Sequence, residues 1–227
     1  MGAGTWALKQ DGKMRAKVKT VIDAGMIILL LLQMAYHLVG DLLHEWVGIM
    51  LFALLILHNI LDRRWYFGLF KGKYTPMRMF HVIVNLLLLA SFLGVAVSSV
   101  FLSATLSPLF HLKMAMVGRR MHMVLTIWSF ILASMHVGLH GNRGIRIIKK
   151  KPKGIRFMCG TIIMLASVYG FYAFISRKLI QRMFFLSEYV FFDYNESFLH
   201  VIVDYITILC MFSAVTYGIG RLLMKQK

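Results

Sequence analysis

Four histidines of this 227-residue chain occur as two pairs with the same spacing. His44 and His58 end the segment HEWVGIMLFALLILH, and His122 and His136 end the segment HMVLTIWSFILASMH. A helix rises 1.5 Å and turns about 100° per residue, so each pair lies about 21 Å apart along its helix and within about 40° of one face. Two imidazoles on opposite sides of an iron atom are the axial ligands of a six-coordinate haem. Each helix therefore offers one candidate haem ligand near each of its ends.

The segments that must position these histidines are predicted to cross a lipid bilayer. Hydrophobic residues make up 59% of the chain and charged residues 15%, and the mean hydropathy is +0.71. The apolar residues form blocks of about twenty, enough for a helix to cross a hydrocarbon core of about 30 Å, without the alternation typical of membrane barrels. We predict an all-α integral membrane protein, a six-transmembrane-helix bundle. Its predicted spans are residues 21–39, 42–61, 80–102, 120–140, 157–175 and 199–219.

The distribution of basic residues predicts the orientation of the bundle. A net charge of +17 would suggest nucleic-acid binding in a soluble chain, but 20 of the 26 Lys and Arg residues lie on the side of the N-terminus. This bias places both termini in the cytoplasm. Because the basic residues lie between the apolar spans and set their orientation, nucleic acid is not an expected partner. The predicted divisions are a basic cytoplasmic N-terminus at 1–20, haem-binding helices at 21–141, and spans five and six with an aromatic extracytoplasmic loop at 142–227.

The predicted second and fourth spans cross the membrane in the same direction because one span separates them. Equal spacing then predicts His44 level with His122 on the outer side and His58 level with His136 on the inner side. Helical bundles build such sites in their cores, and two b-type haems in a four-helix haem-binding core fit this pattern. The sequence has no C-x-x-C-H motif for covalent haem attachment.

Small and basic residues near the histidines fit this haem arrangement. A porphyrin needs room, and the fourth span has Ser129 and Ala133 on its histidine face. On the second span, Gly48 lets a ring edge approach the backbone. Arginines flank each level, although they are common at span ends without any haem. Those predicted to pair with haem propionates are Arg63 and Arg64 at the inner end and Arg119 and Arg120 at the outer end.

Other histidines near the span ends are candidates for a quinone site. His140 follows His136 by one helical turn and competes with it as the inner haem ligand. His81, with Asn85 one turn later, and His37 on the opposite side could each hydrogen-bond a quinone carbonyl or a propionate. An interfacial histidine more often binds neither group. A role in binding a quinone or a propionate and a role in neither therefore both stay open.

A divalent-metal or proton transporter or channel is the alternative function. It predicts histidines and carboxylates clustered at one depth, whereas the paired histidines occupy two levels. Asp23 and Asp204, two carboxylates within predicted spans, are far in sequence from the paired histidines, and each could relay protons or pair locally. A structural anchor for a partner complex is a third interpretation. His111 and His200 receive no predicted role.

A resemblance to a known family is carried by the segments HEWVGIMLFALLILHNILDRRWY, HVIVNLLLLASFLGVAVSS and RRMHMVLTIWSFILASMHVGLHG. They resemble the flavinylation-associated membrane cytochrome b family, which has a DUF4405-type domain, over residues 37–141. The resemblance implies a bacterial cytoplasmic (inner) membrane protein that passes electrons from the membrane quinone pool or a cytoplasmic donor to an extracytoplasmic redox protein. It implies haem ligation by His44, His58, His122 and His136.

The same resemblance implies an electron-transfer oxidoreductase component, with quinol oxidation as a candidate activity. An extracytoplasmic acceptor in this family can bear flavin, but this chain has no recognisable nucleotide-binding motif of its own. The sequence leaves open the direction of electron flow and the presence of a homo-oligomer.

Overall fold

The computed structural model describes residues 3–103, 115–186 and 193–225 as helices joined by short turns, with no strand in these ranges. The all-α prediction is therefore confirmed for the described chain. His111 and residues 187–192 of the predicted aromatic outer loop lie outside it. The helices are α1 (Ala3–Met34), α2 (Tyr36–Val39), α3 (Asp41–Leu61), α4 (Arg64–Gly68), α5 (Pro76–Leu102), α6 (Ala115–Leu139), α7 (Asn142–Lys149), α8 (Lys153–Ser176), α9 (Leu179–Met183) and α10 (Phe198–Lys225).

Five helices in the described ranges, α3, α5, α6, α8 and α10, are long and apolar enough to cross a membrane. They match the predicted spans from the second to the sixth, and they indicate a membrane protein. Large apolar side chains remain exposed along their length, which is costly in water and favourable in lipid. Leu42, Phe157 and Leu199 are examples, at 73%, 79% and 69% exposed.

The predicted first span, 21–39, is not among these five helices. Helix α1 ends at Met34, and a separate turn of helix, α2, follows Ala35. Lys17, Lys19 and Asp23 lie at the start of the apolar run, which leaves 24–34 as the stretch without a charge. That stretch is shorter than the roughly 20 residues needed to cross a bilayer. The described structure therefore supports five spans and leaves the sixth as a proposal.

The described residues form two compact units, Met1–Gly72 and Lys73–Lys227. In the first unit α1 packs along α3, and α2 lies between them in the chain and contacts both. The reversal ends at Gly40, whose φ of 77° is a backbone conformation that glycine adopts without steric cost. The three domain divisions predicted from the sequence stay predictions.

The second unit is built around α10, which packs against α5, α6 and α8. Helix α5 also packs along α6, and α9 contacts both α6 and α8. The N-terminus of α5 is fixed by Thr75, whose side chain accepts a hydrogen bond from the Arg78 N–H, and by Pro76 in the first turn. Fully buried Phe130, Val201 and Ile208 fill the interior of this unit.

Two glycines permit the close approach of α10. A Cβ placed at Gly170 would lie 2.2 Å from the carbonyl oxygen of Thr207, and one at Gly138 would lie 2.4 Å from that of Ser213. Small residues at helix interfaces allow backbones in membranes to come into contact in this way. The spacing of α8 and α6 from α10 is therefore set by backbone contact at these two glycines.

The Gly170→Ala variant should unfold more easily than the wild type. The added methyl group meets backbone, which cannot rotate away, and we expect a loss of about 1–3 kcal/mol in the free energy of unfolding. Gly160→Ala on the same helix is the matched control, since no described heavy atom lies within 4 Å of its added Cβ, and it should be neutral or slightly stabilising. Equal unfolding curves for the two variants in detergent would contradict the close packing of α8 on α10.

Candidate functional site

His58 lies in the last turn of α3 beside two carboxylates. Its Nδ1 is 2.9 Å from Asp23 Oδ1 on α1, and its Nε2 is 3.9 Å from Asp62 Oδ2. Asp62 also forms an ion pair with Lys19, so the charge of that carboxylate is balanced. An ionised carboxylate can only accept a hydrogen bond. The contact with Asp23 therefore places the proton of a neutral His58 imidazole on Nδ1.

His122 on α6 meets two serine hydroxyls of α5. Its Nδ1 is 3.3 Å from Ser98 Oγ and 3.3 Å from Ser99 Oγ. Both hydroxyls donate to the carbonyl oxygen of Val95, at 2.9 and 2.8 Å, so the single proton of each is already engaged. Toward His122 they act as acceptors. The proton of this imidazole is therefore also on Nδ1.

His136 on α6 is held in the same way by an amide. Its Nδ1 is 2.8 Å from Oδ1 of Asn85 on α5, and an amide oxygen is an acceptor. Three of the four predicted haem ligands thus donate from Nδ1 to a polar group on a neighbouring helix of the same unit. This tautomer puts the lone pair on Nε2, and histidines that bind metals are usually oriented by such a bond.

The imidazoles of His81, His136 and His140 lie together in the second unit. The ring centroids of His136 and His140 are 4.7 Å apart, and those of His81 and His140 are 6.1 Å apart in an edge-to-face arrangement. His136 is half-buried and bonded to Asn85, whereas His140 is exposed. The structure therefore brings together the inner residues that the sequence predicted for a quinone, next to a predicted haem ligand.

His44, near the start of α3, packs against Tyr36 and Gln33. The Tyr36 ring and the imidazole meet edge to face with centroids 4.9 Å apart, and Gln33 Nε2 donates to the His44 carbonyl oxygen at 3.1 Å. A Cβ at Gly48 would lie 2.7 Å from Gln33 Nε2. Gly48 thus leaves space for the Gln33 amide, a neighbour that the sequence analysis missed. His37 lies on α2, half-buried, one residue after Tyr36.

The predicted small-residue face of α6 includes a buried hydroxyl. Ser129 is 2% exposed, and its Oγ has no hydrogen-bond partner among the described residues. Thr126 on the same face bonds back to the carbonyl oxygen of His122 at 2.8 Å, and Ala133 is half-buried. A buried hydroxyl without a partner is unusual in proteins, and it is compatible with a polar group or a ligand that shares this face.

The four arginines predicted at the span ends differ in their contacts. Arg63, Arg64 and Arg119 are exposed, as residues that reach a bilayer surface are expected to be. Arg120 lies over the ring of Phe185, with its guanidinium carbon 5.1 Å from the ring centroid. All four arginines are therefore exposed, and Arg120 in addition contacts an aromatic side chain.

A second polar cluster lies between the end of α8 and the start of α10. The Arg177 guanidinium donates from Nη2 to Glu196 Oε1 at 2.7 Å and from Nε to Asp204 Oδ2 at 2.6 Å. Tyr169 donates to Asp204 Oδ1 at 2.8 Å. Burial alone lowers the pKa of Arg177, but its bond to Glu196 and the Asp204 carboxylate raise that pKa above its ordinary value. We name this cluster the Arg177 network.

His200 adds a histidine to the Arg177 network at its exposed side. Its Nδ1 is 3.2 Å from Glu196 Oε1 and its Nε2 is 3.6 Å from Asp204 Oδ1. Glu196, His200 and Asp204 offer three ligand atoms within 4.8 Å of one another, a spacing that could hold a metal ion. The i, i+4 spacing of these residues was the signal in the sequence, and the sequence analysis missed it by assigning His200 no role.

Comparisons of the chain with protein-family models, curated proteins and solved structures find no match. The resemblance to membrane cytochromes b therefore stays a prediction. Any assignment of function depends on the geometry of the histidines and of the Arg177 network.

Proposed function

We propose that this protein is a di-haem b-type cytochrome of six membrane spans, with one haem ligated by His44 and His122 and the other by His58 and His136. The observation that carries the proposal is the shared hydrogen bond of three of these imidazoles. Each donates from Nδ1 to an acceptor side chain, which keeps Nε2 as the coordinating nitrogen. Equal spacing of the two pairs supports two levels of ligation about 21 Å apart on each helix.

The haems supply one-electron chemistry when bound, and the chain supplies their position and electrostatics. Asp23, Asn85 and the hydroxyls of Ser98 and Ser99 orient the imidazoles. The exposed arginines Arg63, Arg64, Arg119 and Arg120 have the charge that propionates require. Ser129 and Ala133 provide small side chains on the histidine face of α6, whereas the Gln33 amide takes the space beside Gly48 on α3.

Electrons enter, in this proposal, from a quinol or a cytoplasmic donor and leave to an extracytoplasmic redox protein. The setting is the cytoplasmic membrane of a bacterium, with both termini in the cytoplasm. The acceptor in this proposal bears flavin, as the family resemblance implies. The positive-inside bias of the sequence supports this orientation, and the exposed apolar faces of the five long helices support the lipid setting.

The functional test is the reduced-minus-oxidised visible spectrum of the full-length protein in detergent, with a pyridine haemochrome count. We expect two b-type haems per chain, seen as low-spin absorption bands. A protein that stays colourless after reconstitution with haemin would overturn the proposal. Its metal content should then be measured for zinc, copper and manganese.

His81 and His140 are the proposed contacts of a quinol headgroup. Oxidation of a quinol to a quinone releases two electrons and two protons, and neutral imidazoles can accept protons from its hydroxyl groups. His81 and His140 lie edge to face beside His136. A quinol bonded to them would therefore lie next to a ligand of the inner haem.

Replacement of either quinol contact should slow quinol oxidation without removing haem. We expect His81→Gln and His140→Gln to keep both haems while lowering the rate of haem reduction by a soluble quinol about 100-fold or more, since a positioned proton acceptor is worth at least that much. Stopped-flow spectroscopy measures the rate, and dithionite reduction is the control that should not change. Loss of the inner haem in His140→Gln would make His140 the ligand in place of His136.

The alternative function, a metal or proton transporter, is favoured by the group Glu196, His200 and Asp204. Its ligand atoms lie within 4.8 Å of one another, and they include carboxylates, as that function predicts. In addition, Asp23 contacts His58 although the two residues are far apart in sequence. The sequence distance between carboxylates and histidines is therefore not an argument against a transporter. Against a metal, the Arg177 guanidinium already bonds both carboxylates, and a cation would have to displace it.

A further inference from the structure

The hydrogen-bond partners of the candidate haem ligands differ in charge. Asp23, a carboxylate, accepts the bond from His58, whereas a neutral amide accepts from His136 and hydroxyls accept from His122. The anionic partner lies at the inner level of the predicted electron path, and the hydroxyl partners lie at the outer level. The proposed function does not use this asymmetry.

We infer that Asp23 makes the haem ligated by His58 the lower-potential centre of the two, so that electrons run from it toward the haem ligated by His122. This inference rests on the proposed function. A carboxylate that accepts the Nδ1–H bond increases the electron donation of Nε2 to iron and stabilises the ferric state. Amide and hydroxyl acceptors increase this electron donation less, because they carry no negative charge. Asp23 therefore lowers the reduction potential of this haem and sets the direction of electron transfer.

Other charged groups near His58 do not cancel the effect of Asp23. Asp62 is paired with Lys19, and the side chains of Arg63 and Arg64 are exposed, where water and salt screen their charge. The Asp23 side chain is itself 45% exposed and that of His58 is 24% exposed. Screening at Asp23 limits the expected effect to about tenfold in the reduction equilibrium, which is about 59 mV for one electron.

The outer level has a different set of charges. Asp41 is exposed and accepts a hydrogen bond from Tyr36 at 2.6 Å, and the Tyr36 and His44 rings meet edge to face. Arg119 and Arg120 precede His122 by three and two residues and are exposed, so water and salt screen their charge as they do at Arg63 and Arg64. The transfer step then oxidises the inner iron from ferrous to ferric and reduces the outer iron from ferric to ferrous, with no bond made or broken.

The test is a spectroscopic redox titration of the purified full-length protein. We expect two midpoint potentials in the wild type, and the lower one should be missing in His58→Ala and kept in His122→Ala. Asp23→Asn should shift the lower reduction equilibrium about tenfold toward the ferrous state and leave the upper one in place. The reciprocal variant Asn85→Asp adds a carboxylate at His136 and should move the lower midpoint the other way.

Several outcomes would overturn the inference while leaving two haems in place. One is that the lower midpoint disappears in His122→Ala, and another is that Asp23→Asn leaves both midpoints unchanged. If Asp23→Asn fails to hold the inner haem, Asn85→Asp decides the matter, and an unchanged lower midpoint there rejects the tuning. A wild-type protein without haem would instead reject the proposed function.

Discussion

His58→Ala and His122→Ala should each lose one of the two low-spin haem signals and keep the other. A low-spin haem needs an imidazole on each side of the iron, and alanine leaves one side without a strong ligand. The measurement is the haem count per chain with the low-spin absorption and electron paramagnetic resonance signals. His200→Ala is the matched control, because its side chain is 55% exposed in the Arg177 network and both haems should remain.

The same spectra test how the histidines pair. His58→Ala and His136→Ala should remove the same signal, and His44→Ala and His122→Ala should remove the other. Loss of both signals in every variant would point to one shared centre or to misfolding. Retention of both signals in His58→Ala would remove this histidine from the ligand set and reject the two-level scheme.

Hydrophobic length predicted the long helices of this chain within a few residues. The predicted span 42–61 corresponds to Asp41–Leu61, and 157–175 corresponds to Lys153–Ser176. Such agreement has a local cause, because a run of apolar side chains and the charges that end it are read directly along the sequence. The first predicted span failed the same criterion. Its charges, at Lys17, Lys19 and Asp23, shorten the apolar run, and its helix breaks at Ala35.

Hydrogen-bond partners could not be predicted in the same way, since they come from other helices. His58 and Asp23 are 35 residues apart in the sequence, and His136 and Asn85 are 51 apart. Spacing on one helix fixes which face a residue occupies, but not which side chain meets it. The sequence therefore predicted the candidate ligands, while the acceptors that set their tautomer required the structure.

The turn around α9 could not be predicted from residue types either. Lys178 and Phe185 flank this helix with φ values of 51° and 50°, a conformation that residues other than glycine seldom adopt. Neighbouring contacts hold the segment in place. Leu179 is fully buried, and the Trp128 indole donates to the Met183 carbonyl oxygen at 3.2 Å. Tertiary packing of this kind overrides the local preference of the backbone.

The α9 turn and the Arg177 network occupy the same connection between α8 and α10. Arg177 precedes Lys178 directly, so the left-handed residue follows the guanidinium that bonds Glu196 and Asp204. The ionic contacts join the end of α8 to α10 across a connection of more than twenty residues. Stability of this part of the second unit should therefore depend on Arg177 more than on any exposed charge.

Arg177→Ala should cause a large loss of stability for a single change of charge. The side chains of Arg177, Glu196 and Asp204 are 14%, 18% and 5% exposed, so removal of the guanidinium takes the Arg177 charge away from two carboxylates that are nearly buried. Breaking a buried ion pair in this way costs about 3–5 kcal/mol. Unfolding of the full-length protein in detergent, followed by circular dichroism during titration with sodium dodecyl sulfate, measures the loss.

Lys19→Ala is the matched control for the loss of a paired cation. Lys19 bonds Asp62, but these side chains are 34% and 43% exposed, and an exposed pair contributes about 0–1 kcal/mol. Equal losses in Arg177→Ala and Lys19→Ala would contradict a buried network.

The triple variant Arg177→Met, Glu196→Gln and Asp204→Asn separates charge from packing. If the loss in Arg177→Ala arises from uncompensated charge, removal of all three charges together should recover most of the stability, as neutral replacements of buried ion pairs often do. If the triple variant is as unstable as Arg177→Ala, the guanidinium acts through its shape and its packing on Tyr205, whose ring centroid lies 5.5 Å from the guanidinium carbon. Arg177→Lys should fall between these cases, because an ammonium keeps the charge but lacks the planar fork that bonds two carboxylates together.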